Sequence, residues 1–493
     1  MLFCLYPSFD RKGQDEDAAI RPERTRTRIA GWIAHYLILV VASFALLATS
    51  DRLLPQGMVV TRFMATGQAP LNAYYYPPTT RDEISVLMYD QAFLSETGSA
   101  WPLPYADHAD WLLRIAADAA SRPRAMMLDI TFGQERNDPG IGRLAETLCQ
   151  IQNEFHVPVF LAALSSEDGR LKVRSGLHAL DPKTGKPCFT LVDIKVLPDA
   201  LDGQLWSYQL SRHMAPEGWQ NGPAEQASTP TIRSAALAIA EDVGHAKLGK
   251  EDEPMALMWG LLNRPDEQRP QFFQDCHNGE KDWWRLVPGF VREWVAGPPP
   301  PLCPYHSTLS MAQVASLDSD TLLPYFHDRY VFIGAAIPGI NDQIVSPVHG
   351  PLPGVYAHAM ALDNLLTYKD NYKTVAEWSE LFRHPTSLLG AGLLAVFCVF
   401  LIRFVYMRLA NSNEPPPLSD LRKKLRHIPT FALAWLLKLI VRLAAVMLLI
   451  VLLQKCFRIG MLPVVELAAM AVFAEAFELL EKLKKYLEAT PHA

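Results

Sequence analysis

The chain has 493 residues, 49% of them hydrophobic and 20% charged, with a net charge of −6. That length calls for more than one structural unit. The slightly acidic balance excludes a global basic field for nucleic acid, and a mean hydropathy of +0.05 averages over strongly segregated stretches.

Residues 1–28 end in the basic run RPERTRTR and are expected to be cytoplasmic. The following stretch, Ile29 to Ser50, is apolar throughout. A bilayer core of about 30 Å takes about 20 helical residues, and a signal-peptide core runs to only about 7–15. The stretch is therefore predicted as an uncleaved transmembrane helix, 29–50, although Ala48-Thr49-Ser50 is a passable cleavage site. Three more apolar stretches lie toward the other end, and predict transmembrane helices at 385–406, 428–454 and 459–478. Basic clusters fall before the first span, at Leu421–His427 (LRKKLRH) and at Glu481–Glu488 (EKLKKYLE). The positive-inside rule puts all three in the cytoplasm. Residues 407–427 then form a cytoplasmic basic linker, 479–493 a cytoplasmic tail and 51–384 an exported domain. This describes a multi-pass protein of a bacterial inner (plasma) membrane, with a periplasmic domain, both termini cytoplasmic and the lipid bilayer as a partner.

Within the exported part, EISVLMYD (Glu83–Asp90) reads as a strand and ADHADWLLRIAADAA (Ala106–Ala120) as a helix by its apolar spacing. AMMLDITF (Ala125–Phe132) reads as a second buried strand. DPGIGRLAETLCQIQNEF (Asp138–Phe155) reads as a helix with Asp138 as N-cap and Pro139 as its first residue. VPVFLAAL (Val157–Leu164) is a third strand, Ser228–Gly244 a helix, and about 245–308 an irregular insertion rich in Pro, Trp and Cys. YVFIGAA (Tyr330–Ala336) is a further strand, and YAHAMALDNLLTY (Tyr356–Tyr368) a helix. Strands alternating with helices predict an α/β domain, a mostly parallel sheet with covering helices; the four spans complete the fold class. Cys149, Cys188, Cys276 and Cys303 all fall in the exported part, where disulfides persist. Four cysteines allow three pairings; Cys149–Cys188 and Cys276–Cys303, neighbours in sequence, are favoured.

Gly334 lies in the strand Tyr330–Ala336, and the loop between it and the last helix carries Gly339, Gly350, Gly354 and four prolines. A phosphate cradle needs free N–H groups at a helix N-terminus. This loop is long, its prolines lack donors, and it holds neither G-x-G-x-x-G nor G-K-[ST]. Asp342 in the loop, and Asp90 and Asp129 near strand ends, are candidates for a cleft at the carboxyl edge of the sheet, with His349 and His358 near Asp342 in sequence. The plainer reading is that each Asp caps a helix or fixes a loop. Asp90, Asp129, Asp138 and Asp342 also admit an exported metal-dependent hydrolase. Against that, His-Glu-x-x-His and Gly-x-Ser-x-Gly are absent, and neither an enzyme nor a cofactor is expected. Cys276-His277 with Cys303 and His306 could form a zinc set, but a disulfide is the favoured reading.

Several ordered pieces resemble the CHASE2 family of extracellular sensor domains. ISVLMYDQAFL resembles the first strand ending in Asp. GSAWPLPYADHADWLL, with Trp101, resembles a Gly-x-Trp-Pro-x-Pro motif and first helix. AMMLDITFGQERNDPGIGRLAETL resembles an Asp strand followed by an Asp-led helix. RYVFIGAAIPGINDQIVSPVHGPLPGVYAHAMALDNLL resembles the C-terminal signature, from I-G through G-x-x-D and Ser-Pro to Pro-Gly-Val and a helix-borne His-Ala. The resemblance covers about residues 80–368. It implies a sensor domain framed by one span before and three after, as in this chain. It also implies a cytoplasmic output domain after the last span, whereas only a short basic tail follows Phe477. Tyr105 stands where the family often has Arg, and the 245–308 segment resembles an insertion.

The expected function is a membrane-anchored sensor or receptor subunit. It would detect an extracytoplasmic ligand or partner and relay the change through its membrane helices to a separate cytoplasmic or membrane effector, as a homo- or hetero-oligomer. The alternative is a structural or assembly component of an envelope complex. In the third span Lys438 and Arg442 share a helix face. A charge in mid-bilayer costs roughly 2.5–3.5 kcal/mol; Arg442 lies about 24 Å from a turn near Arg458, close enough to the cytoplasmic face to snorkel. By the same count Lys438 and Arg442 lie level with Glu475 and Glu478 of the fourth span, which predicts intramembrane ion pairs. Reversing the charges on one side alone is expected to lower the yield of folded protein in membranes, and reversing both to restore it; absence of rescue rejects the pairing.

Overall fold

The computed structural model describes residues 72–375 apart from 134–135, 166–170, 178–179, 182–183, 186, 214–230, 249–252, 262–269, 271–272, 274, 278–300 and 341, together with 66, 69–70 and 459–461. The four predicted spans, with Lys438, Arg442, Glu475 and Glu478, lie outside the described residues, except that 459–461 are described. Among the described residues no helix is long and apolar enough to cross a membrane. All described residues belong to one compact unit.

The centre is a seven-stranded sheet. Its strands are β1 (Ile84–Asp90), β2 (Ala125–Leu128), β3 (Val159–Ser165), β4 (Leu171–Lys172), β5 (Thr190–Asp193), β10 (Ser307–Ser310) and β11 (Tyr330–Ala336). The order is β10-β1-β11-β2-β3-β4, with β5 also on β3. Every pairing is parallel except the short β3–β4 step.

The near-continuous apolar runs follow from burial on both faces, as in parallel sheets generally. Alternate residues feed two separate cores. Ile84, Val86, Met88, Met127, Phe160, Tyr330 and Phe332 face one side. There they meet helices α4 (Ala235–Asp242) and α7 (Val355–Tyr368). Leu87, Tyr89, Met126, Leu161, Val331 and Ile333 face the other. That side is covered by α1 (Gln91–Thr97), α2 (Tyr105–Ala117), α3 (Ile141–Asn153), α5 (Met311–Ser316) and α6 (Ser319–Phe326). The result is the expected α/β domain with a mostly parallel sheet and covering helices.

Small sheets frame this core. β6 (Ser207–Tyr208), β9 (Met255–Ala256), β14 (Thr374–Val375) and β15 (Ile459–Met461) form one, and β7 (Ser211–His213) pairs with β8 (Thr231–Arg233). Two disulfides, Cys149–Cys188 and Cys276–Cys303, close loops of 39 and 27 residues. Cys276 and Cys303 are therefore committed to each other rather than to a zinc set.

Four expectations are corrected. Helix α3 starts at Ile141 with Gly140 as N-cap, so Asp138 is not its cap. Residues 231–233 are strand β8, and α4 begins only after Ser234, whose hydroxyl accepts from Leu237 N at 3.4 Å. Ser307 and Thr308, taken as insertion, begin the edge strand β10; pairing with β1 overrides their weak local signal. Residues 459–461, taken as the start of the fourth span, form β15 by pairing with β14; Gly460 is a poor helix former.

Gly334 in β11 is required for packing: a Cβ there would sit 2.8 Å from the Val355 side chain at the start of α7. Gly334→Ala is therefore expected to destabilise the domain by about 1–3 kcal/mol in denaturant melts. Gly133→Ala, whose Cβ would meet nothing within 4 Å, is expected to stay within about 0.5 kcal/mol.

Candidate functional site

The carboxyl ends of the central strands gather three of the candidate residues. Asp129 follows β2 directly and is buried, its N–H donating to Ile333 O at 2.8 Å. Asp342 lies in the loop after β11, at the base of a hairpin formed by β12 (Gln343–Ser346) and β13 (Gly350–Pro353). Gly354 N closes that base by donating to Asp342 O at 3.0 Å. The Asp342 carboxylate lies against Gly354, where a Cβ would come within 2.5 Å of its Oδ1. Only glycine allows that approach. His358, one turn into α7, brings Nε2 to 3.8 Å from Asp129 Oδ1.

Tyr208 completes the group from β6, with its hydroxyl 2.7 Å from His358 Nδ1. Burial holds the imidazole neutral, its pKa pushed down to about 4. Burial and then the Asp342 charge raise the Asp129 carboxyl well above the usual range, and burial raises Asp342. Asp342 is exposed while Asp129 is buried. The two carboxylates lie at the carboxyl edge of the sheet, where open parallel α/β sheets commonly bind ligands. Asp193 is also buried; it bonds Arg212 and acts electrostatically on Tyr208.

The other candidates do not join this group. Asp90 caps α1, accepting from Phe93 N at 2.9 Å, and takes the Ser310 hydroxyl at 2.7 Å. Asp138 accepts from Gly140 N and, at 2.9 Å, from Tyr105 N. It thereby caps α2 across the chain, because Pro104 supplies no side-chain cap. Trp101, preceding a cis proline, packs with Tyr89 and His108 at 6.0 and 6.2 Å. His349 donates from Nε2 to Gly260 O at 2.8 Å. Among the described residues no group of three or more His, Cys, Asp or Glu is arranged to hold a metal ion.

A second buried cluster escapes sequence reading. Asp363, fully buried on α7, accepts from Tyr76 Oη at 2.5 Å and Thr367 Oγ1 at 3.2 Å, with His306 Nε2 at 3.1 Å. Burial, then the Asp363 charge, raises the Tyr76 phenol. Asn364 beside it grips the Met258 backbone, accepting from its N–H at 3.1 Å and donating to its carbonyl at 2.8 Å. The one available signal was a polar Asp-Asn pair inside an otherwise apolar helix; nothing local marks Tyr76, Tyr208 or Met258 as partners.

The family model described as the CHASE2 domain matches residues 37–402. The chain belongs to the CHASE2 family. Neither the curated proteins nor the solved structures provide a match. CHASE2 is a sensory domain, so a sensor domain is the functional class the family points to. Three residues of the CHASE2-like motifs, Asp129, Asp342 and His358, are those that converge.

Asp129 supplies a pH test. Its folded pKa is raised above the unfolded value, so its contribution to stability is full below the unfolded pKa, about 3.9, and is lost as pH rises through the folded pKa. Asp129→Asn is expected to flatten that part of the stability–pH curve of the purified chain; a curve of unchanged slope would show that Asp129 titrates normally.

Proposed function

We propose that this protein is a membrane-anchored CHASE2 sensor subunit. Its extracytoplasmic domain detects a ligand or partner at the rim formed by Asp129, Asp342 and His358, and its membrane helices relay the change to a separate protein. The observation that carries this reading is the convergence of those three residues at the carboxyl edge of the parallel sheet, one half of the rim buried and the other open to solvent. Two features support the membrane arrangement. The family match begins and ends at 37 and 402, inside the apolar stretches 29–50 and 385–406. The basic clusters also segregate to one side of the four stretches.

Crosslinking of the full-length chain in native membranes, followed by mass spectrometry, is expected to capture one different protein reproducibly, and Asp342→Ala to change the yield of that adduct. Adducts containing only copies of this chain would replace the sensor reading with assembly of an envelope complex.

A further inference from the structure

The hairpin β12–β13 leaves the Asp129–Asp342–His358 rim and reaches a different part of the domain. Its tip is pinned: Ser346 Oγ accepts from Val348 N and His349 N, both at 3.2 Å, and His349 Nε2 bonds Gly260 O. Val348 packs beside Ala69 and Trp206 on one side and Ala73, Leu261 and Leu302 on the other. Ala69 and Ala73 lie in the segment that follows the first apolar stretch.

An unbroken run of backbone hydrogen bonds continues from the hairpin. Leu205 N donates to Val345 O at 2.8 Å, Leu257 N to Trp206 O at 2.9 Å, and Ala256 N to Lys373 O at 2.8 Å. Lys373 leads into β14, and β14 pairs in parallel with β15, Thr374 against Ile459 and Val375 against Met461. β15 falls where the third and fourth apolar stretches meet, and β14 shortly before the second. A small apolar cleft of about 30 Å³, room for roughly one water, lies in this seam between Ala69, Trp206, Ala256, Val348 and Gly460. Gly460 is closely fitted: a Cβ there would come within 2.2 Å of the Ala256 Cβ. Asn364 holds the intervening Met258 to α7, the helix that carries His358.

We propose that the hairpin β12–β13 is a strut coupling the Asp129–Asp342–His358 rim to β15, so that occupancy of the rim is read at the junction of the third and fourth apolar stretches. This rests on the sensor reading above and names its internal route. Coupling carried by a contiguous network acts in both directions.

Hydrogen exchange of the full-length chain in detergent tests it, with β1 and β11 peptides as the reference for intact folding. Asp342→Asn is expected to raise exchange in 459–461 and 372–375 by about tenfold, as for a local opening, with the reference strands unchanged. Gly460→Ala is expected to raise exchange at β15 and in the hairpin 343–353, and adding Ala256→Gly, which removes the opposing methyl, to restore both. Effects confined to the mutated end, or a double variant that restores nothing, overturn the strut. If Asp342→Asn opens the reference strands too, the Gly460 and Ala256 pair decides. A strut that passes while crosslinking finds no second protein leaves the internal coupling standing and removes the separate effector.

Discussion

Helix α7 is buried on every side from Val355 to Leu365, and each polar group on it must find a partner or cost about 1–3 kcal/mol. Much of the domain's layout answers that demand. His358 draws in Tyr208 from β6. Asp363 draws in Tyr76, from the segment after the first apolar stretch, and His306, just before the edge strand β10. Asn364 holds the Met258 backbone as a neighbouring strand would. One helix thereby fastens the regions that flank the central sheet, and Gly334 lets it approach the sheet closely enough to do so.

The same helix divides the molecule's polar interior into two places with different characters. Near its N-terminus, Asp129 and Asp342 set two carboxyls within electrostatic reach, one of them open to solvent. Burial raises both carboxyls, and the Asp342 charge adds to the effect at Asp129. Farther along, Asp363 is enclosed and fully bonded. A satisfied buried network of this kind rigidifies its surroundings.

The degree to which the chain could be read in advance follows from how local each signal is. β1, α2 and β11 were legible nearly to the residue, because runs such as ISVLMYD and YVFIGAA bury both faces and leave no other use for so many apolar side chains. Asp90 and Asp138 are legible as capping residues, yet Asp138 caps α2 rather than the helix that follows it, because that helix begins only at Ile141 with Gly140 as N-cap and the second Asp138 oxygen takes Tyr105 N. Ser307 and Thr308 fall in the stretch that reads as insertion because they carry no apolar pattern; pairing with β1 makes them the start of a strand. The hairpin 343–353 hid behind its prolines, which occupy edge positions where no N–H is needed.

By itself the sequence determined the α/β alternation, the candidate carboxylates, the family and the apolar stretches, because each is written in composition, period or motif order over neighbouring residues. Tertiary structure alone decided which carboxylates meet. Asp129 and Asp342 are 213 positions apart and share a site only because β2 and β11 are neighbours in the sheet. Tyr208, Tyr76 and Gly460 matter through partners distant in sequence, and burial, which sets what each of them can do, comes into being only when those partners arrive.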